Sequence, residues 1–423
     1  MINKKTSSKD IRVVLMILNQ RFLPDVRVEQ EYKSLKKLGY RVIVVASQSG
    51  NDSDEYEIIR VNNNKFKDWL YNLFFKTNPS NIQHIISQLA NIKVYDVDVV
   101  HVHDLPWSDL GYRLSQHYKS KLIIDLHENY PAWQEDKKKL EDQLSNLRRY
   151  IRPIGSFLIK RNPEPLMKLV EKKYKTPKRW EKYENEMLRK SNKFIVVVEE
   201  ALSRFENEPF FKKGSVVSNT KIITEWNKKD LPLIEDKIII SYMGSVQYLR
   251  GLDTAIKAMK YVDQNLYQLQ IVGVIPESKI YSEFQDLIEL HNINNVQLIN
   301  YLEDEQKAFE YIYKSHIGII PHRSSGLTET TVPHKLFMYM ATGRPVLVSD
   351  VAPLSRIVNE TKSGLVFKSG DPRSFAKTLK KLSSEEKLKM YSENARLSVE
   401  NKYNWSQDEK KLTEIYSSLF DSI

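Results

Sequence analysis

The chain has 423 residues, 41% hydrophobic, 28% charged and none cysteine, with a formal net charge of +11. That length exceeds what one core serves comfortably, so two domains are expected. No apolar run reaches the roughly 18–20 residues of a membrane-spanning helix. The polar, lysine-bearing start through Asp10 does not read as a signal peptide, and the missing cysteines exclude disulfides and thiolate metal sites, so an intracellular, cytoplasmic location is expected.

Strands and helices alternate along the chain. Strands are predicted at Ile11–Leu18, Arg41–Ala46, Val97–Val102, Lys121–Leu126, Phe194–Val198 and Ser215–Val217, with helical spacing from Val28 to Leu38 and a turn at Gly39. A second series follows at Lys237–Met243, Leu269–Val272, Val296–Ile299, His316–Ile320 and Pro345–Val348. Continuous apolar strands separated by helices indicate parallel sheets covered on both faces. The expected fold class is α/β with two doubly wound domains. Their predicted bounds are 1–220 and 237–402, joined by a polar linker over 221–236. A last helix is predicted within 403–423, where Trp405, Leu412, Ile415, Leu419 and Phe420 recur at helical spacing.

The positive charge is unevenly placed. Residues 137–190 hold 17 Lys and Arg against 7 Asp and Glu, nearly the whole excess, interleaved with Tyr150, Phe157, Tyr174 and Trp180. Three readings of this insert stand side by side: contact with an anionic membrane surface, contact with nucleic acid, or a solvated helical face.

Parallel sheets bind ligands beyond the carboxyl ends of their strands. That rule singles out His101, His103 and Asp104 after one strand, His127 and Glu128 after another, and Asn219, Gly244, Gly273 and His322 elsewhere. His101 alternates with His103 and is read as packing. The first strand runs into Asn19–Asp25 without glycine, so a dinucleotide loop is absent there, which counts against a dehydrogenase. Asp96 and Asp98 form a D-x-D pair at the start of their strand, the wrong end for a metal-assisted site, and no metal is expected. The segment from Gly326 through Thr328, Glu329, Thr330, Thr331, Pro333 and Lys335 to Gly343 reads as a polar loop, a helix and a strand. Pro333 suits the first helical turn and Gly343 the position past its end. The threonine hydroxyls and Lys335 would then sit at a helix N-terminus, a place for an anion, most simply phosphate. An ordinary loop and helix start is the alternative.

The pattern Gly244-Ser245, Arg250-Gly251-Leu252, Val272-Gly273, then Val332-Pro-His-Lys335-Leu-Phe and Tyr339-Met-Ala-Thr-Gly343-Arg-Pro-Val resembles glycosyltransferase family 4. Asp25-Val-Arg27, His101-Val-His103-Asp104 and Asp125-Leu-His127-Glu128 extend the resemblance over nearly the whole chain except 137–180. It implies a GT-B fold, two Rossmann-like domains facing across a cleft, and metal-independent transfer with retention. The donor would be a nucleoside diphosphate sugar of UDP or GDP type, with no separate cofactor. The acceptor would be a glycan or a lipid-linked glycan in bacterial surface polysaccharide assembly. It assigns His127, Arg250 and Lys335 to catalysis. Gly244, Ser245, Gly273, Arg323, Thr328, Glu329, Thr330, Thr331 and Met338 fall on the donor side, and Asp25, Arg27, His103, Asp104 and Glu128 on the acceptor side. The family's pattern has glutamates where this chain has Thr330 and Met338, and often an arginine where it has Ser245. Glu329 and Arg323 are the nearest substitutes. A scaffold that keeps the fold and has lost full catalysis is the rival reading. The basic insert would bring the enzyme to the inner face of a membrane, and nucleic acid is not an expected partner.

Overall fold

The computed structural model describes residues 11–23, 25–47, 55–61, 65–149, 170, 173–222, 230–302 and 304–420. The chain divides into two compact units, 1–217 with 409–423, and 218–408. Residues 218–222 and 230–236 belong to the second unit. Of the expected linker, 223–229 lie outside the described residues, as do 150–169 of the basic insert.

The first unit holds a seven-stranded sheet in the order β3-β2-β1-β4-β5-β6-β7. Its strands are β1 (Val13–Leu18), β2 (Arg41–Ala46), β3 (Glu57–Arg60), β4 (Val99–His103), β5 (Lys121–Leu126), β6 (Lys193–Val196) and β7 (Gly214–Val216). Each pairing is parallel. The central strands are buried along nearly their whole length, as β-branched runs covered on both faces should be. The helix Val26–Lys37 starts where Asp25 accepts a hydrogen bond from the Val28 N–H, and Gly39 follows its end at φ 87°.

The second unit repeats the plan with six strands, β10-β9-β8-β11-β12-β13, all parallel. They are β8 (Ile238–Met243), β9 (Tyr267–Val274), β10 (Val296–Asn300), β11 (Ile317–Ile320), β12 (Val346–Ser349) and β13 (Gly364–Phe367). In each sheet the strand order reverses once, between β1 and β4 and between β8 and β11. The crevice beyond the carboxyl ends at such a reversal is where doubly wound sheets take their ligands.

Two strands have no counterpart in the sequence reading. β3 is a four-residue edge bounded by Glu57 and Arg60, and β13 is four residues opened by a glycine. Both are too short for a periodicity argument. Gly364 is needed because a Cβ there would fall 1.8 Å from the Val346 carbonyl oxygen. The helix expected to include Pro333 runs from His334 to Ala341, and Pro333 is its extended N-cap residue at ψ 142°. Gly343 lies past its end at φ 72°. The last helix spans Trp405–Ser418 and buries Leu412, Ile415 and Tyr416. Among the described residues no helix is long and apolar enough to cross a membrane.

Candidate functional site

In the first unit, polar groups gather where β1, β4 and β5 end. Arg27, 3% exposed, grips the fully buried Asp125. Its Nη2 donates to Oδ1 and Oδ2 at 3.0 and 2.9 Å, and its Nε donates to Oδ2 at 3.1 Å. Nη1 donates to the Val217 carbonyl at 2.9 Å, and Glu31 Oε1 lies 3.2 Å from Nε. His127 Nε2 is 3.1 Å from Asp125 Oδ2 and 3.3 Å from His103 Nδ1. The His127 N–H donates to Asp104 Oδ1 at 3.1 Å. His101 Nδ1 meets the Tyr416 hydroxyl at 2.9 Å.

These contacts set the charges. Burial would lower the His127 pKa, but the carboxylates of Asp104 and Asp125 outweigh it and hold it up at about 10. Burial would raise Asp125, yet Arg27 and His127 keep it well below the usual carboxylate range. Burial together with Asp125 pushes Glu31 well above that range. Burial keeps His101 and His103 low, hence neutral. Glu31, His101, His103 and Asp125 offer ligand atoms within 4.8 Å of one another, a spacing a cation could bridge. Arg27 and His127 already set two positive charges against Asp104 and Asp125, so among these groups a further cation would have to be balanced by ionising the protonated Glu31.

The second unit is built the other way. At the end of β8, Gly244 has φ 124°, and a Cβ there would come 3.1 Å from Lys335 Nζ. Gly273, at φ 110°, ends the same way against Gly244, whose carbonyl oxygen would lie 2.6 Å from a Cβ. Both glycines let backbone approach where a side chain would intrude. Lys335 Nζ donates to the Tyr242 hydroxyl at 2.8 Å, and that hydroxyl donates to the Ser245 carbonyl at 2.7 Å. One turn along the helix, Tyr339 lies over Gly318 and accepts from the Met243 N–H at 2.9 Å, fixing the helix that carries Lys335 to β8 and β11. Arg250 Nη1 is 3.3 Å from Nε2 of the buried His322. Gly251 makes this possible: at φ 65° it brings the chain against the Pro321 carbonyl, which a Cβ would meet at 2.0 Å. Burial and Arg250 push the Lys335 pKa well down, and burial, Arg250 and Lys335 do the same to His322. Among the described residues, neither Arg250 nor Lys335 has a carboxylate within 4 Å. The Arg250 Nε is buried without a partner.

The structure therefore gathers Gly244, Gly273, Arg250, Lys335 and His322 at one switch point, and His103, Asp104 and His127 at the other. It reassigns several expected site residues. Arg27 and His103 are buried and hold Asp125 and His127, so they are not free to touch an acceptor. Asp25 caps its helix. Glu128 is exposed beside the cluster. Thr328 Oγ1 donates to the Arg323 carbonyl, Thr330 Oγ1 to Gly326 and Thr331 Oγ1 to Leu327, so all three hydroxyls brace their own loop rather than line an anion site. Glu329 Oε2 accepts from the Ala352 N–H at 2.7 Å and Oε1 from Ser324, which makes it the cap of the helix Ala352–Thr361. Met338 is buried, 7% exposed. Arg323 donates to Asp253 at 2.7 Å and stacks on Tyr248, so it is not a spare cation. Ser245 is exposed. Glu31, Asp125 and Tyr242 were not among the expected site residues. A charged residue inside the apolar run Leu122–Leu126, and Glu31 four residues after Arg27, were the available signals.

The model of the Glycosyltransferase Family 4 matches residues 26–219, and that of Glycosyl transferases group 1 matches 224–398. The two follow one another across most of the chain. An uncharacterized glycosyltransferase of Methanocaldococcus jannaschii is 22% identical over 57% of this chain and 62% of its own length. The capsular polysaccharide biosynthesis glycosyltransferase CapM of Staphylococcus aureus is 22% identical over 48% and 50%. The chain thus spans about half to three fifths of these curated relatives. Anabaena HepE, solved in complex with UDP, superposes with a TM-score of 0.69 at 11% identity, over 96% of this chain and 100% of its own. The fold is GT-B. The chain belongs to the glycosyltransferases of the family 4 type.

Proposed function

We propose that the protein transfers a sugar from a nucleoside diphosphate sugar of UDP or GDP type to a glycan or lipid-linked acceptor, without a metal and with retention. The observation that carries this is the pair Arg250 and Lys335 beside His322, with no carboxylate within 4 Å of either cation among the described residues. Burial and Arg250 disfavour the charge on Lys335, and an anion placed beside the two groups would restore it. A departing diphosphate gains negative charge in the transition state, and fixed donors stabilise it there more than in the ground state. HepE with UDP and CapM in capsule biosynthesis agree with such a donor and such a product. In this reading His127 serves the reacting sugars from the first unit.

The test is transfer or donor hydrolysis across a panel of uridine and guanosine diphosphate sugars, with Lys335→Ala and Arg250→Ala. Loss of turnover in both supports the reading, and unchanged turnover in both overturns it.

The scaffold reading keeps one observation in its favour: Met338 is apolar and Glu329 is occupied as a cap, so neither offers a carboxylate to a ribose. A nucleotide at about 100 times its dissociation constant should stabilise the fold by roughly 2.7 kcal/mol. A thermal shift that turnover does not accompany would favour the scaffold. The basic insert, of which the helices Tyr130–Arg149 and Pro177–Lys190 are described, would hold the enzyme to an anionic membrane. Co-sedimentation with vesicles containing or lacking anionic lipid checks this, and equal partitioning would argue against it.

A further inference from the structure

Asp104 follows β4 with φ 65° and ψ 159°. That region is essentially reserved for glycine, because a Cβ there crowds its own peptide groups. Stability alone would place glycine at this position. What the aspartate supplies is contact with His127. Its Oδ1 accepts the His127 backbone N–H at 3.1 Å, and its Oδ2 lies 3.8 Å from the ring Nδ1. Its own N–H donates to the Asp125 carbonyl at 2.8 Å, which fixes the end of β4 against β5. On the other edge of the ring, Nε2 faces Asp125 Oδ2, itself held by Arg27. The imidazole therefore has a carboxylate toward each nitrogen. Among these groups it is also one of the few with exposure, 12% for its side chain and 18% for that of Asp104.

We propose that Asp104 is the positioning residue of His127: its strained backbone is kept because that conformation lets one carboxylate hold both the peptide and the ring of the histidine. This rests on the reading of His127 as a group that serves the reacting sugars. A carboxylate toward each nitrogen favours the doubly protonated ring, which donates hydrogen bonds and cannot accept a proton as a base. The other groups facing it are His103 on β4, Arg27 and Glu31 on the helix Val26–Lys37, and Glu128 beyond β5. Arg27 opposes the proton, and Glu128 acts through Asp104, whose own pKa burial raises to about 6.

The experiment uses the full chain with Asp104→Gly and Asp104→Asn. Three readouts are taken: the melting temperature, the titration of labelled histidine rings by NMR, and kcat and KM for transfer. The His127 signal is assigned by its loss in His127→Gln. Asp104→Gly is expected to melt at or above the parent temperature while the His127 pKa falls by about one unit or more. Its kcat should fall about tenfold or more with the donor KM little changed. Asp104→Asn keeps an acceptor for the peptide N–H and should retain more of kcat than Asp104→Gly. An unmoved His127 titration in Asp104→Gly would overturn the proposal. So would a large drop in its melting temperature, which would make the aspartate a structural residue. A moved titration with unchanged kcat would leave the clamp standing and remove His127 from the reaction, which overturns the functional reading alone.

Discussion

The two switch points share one topology and solve opposite electrostatic problems. In the first unit Arg27 and His127 are matched by Asp104 and Asp125, and the buried group is closed on itself. In the second, Arg250, Lys335 and His322 stand together with hydroxyls and backbone but, among the described residues, no carboxylate within 4 Å of Arg250 or Lys335. A balanced cluster gives stability and fixes geometry. An unbalanced one stores unfavourable desolvation and repulsion until an anion arrives. The same sheet reversal thus carries a charge-balanced cluster in one unit and, in the proposed function, an anion receptor in the other.

The comparison can be broken most sharply by deleting one charge from each. Arg27→Leu removes the bidentate partner of the buried Asp125, leaving it to His127 and His103, and should cost about 3 kcal/mol, read by denaturant unfolding. A cost near zero would mean that the cluster is not balanced. Lys335→Ala should do the reverse, leaving stability equal or higher while turnover falls about 100- to 1,000-fold. Gly251→Ala should cost about 1–3 kcal/mol, since φ 65° and the Pro321 carbonyl both exclude a Cβ. It should also weaken nucleotide binding by displacing Arg250, which calorimetry would show.

Alkaline pH should pull the two units in opposite directions. The His127 pKa is raised from the usual 6.5 to about 10, so its contribution is full below 6.5 and is lost as pH rises through 10. The Lys335 pKa is depressed below 10.5, so the folded state binds fewer protons than the unfolded one between those limits, and stability rises with pH there. Melting curves across pH 7–10 for His127→Gln and Lys335→Met should each lose one of these slopes. If both variants keep the parent slope, the two charge assignments are wrong. The smallest effect is expected from Glu329→Gln, about 1 kcal/mol for a weakened helix cap with no change in donor KM. A raised KM with unchanged stability would return Glu329 to the ribose.

The element plan was legible because the central strands β1, β2, β4 and β5 are five- or six-residue runs buried along nearly their whole length, whose apolar character needs no partner to be recognised. β3 and β13 were not, since a four-residue edge carries no period. Lys335 and Arg250 were legible by their place after strand ends. The roles of Thr328, Thr330, Thr331 and Glu329 were not. Hydroxyl and carboxylate side chains satisfy whatever N–H or carbonyl lies nearest, and in this loop those are its own backbone and the next helix.

By itself the sequence determined the class of fold, the two sheets and the places where their strands end, because these follow from local periodicity and turn chemistry. Only the tertiary structure decided which polar residues face one another. Asp125 meets Arg27 from 98 positions away, and Lys335 meets Tyr242 from 93. Charge balance is a property of such distant pairs. It is what separates the balanced cluster of the first unit from the cation-rich one of the second.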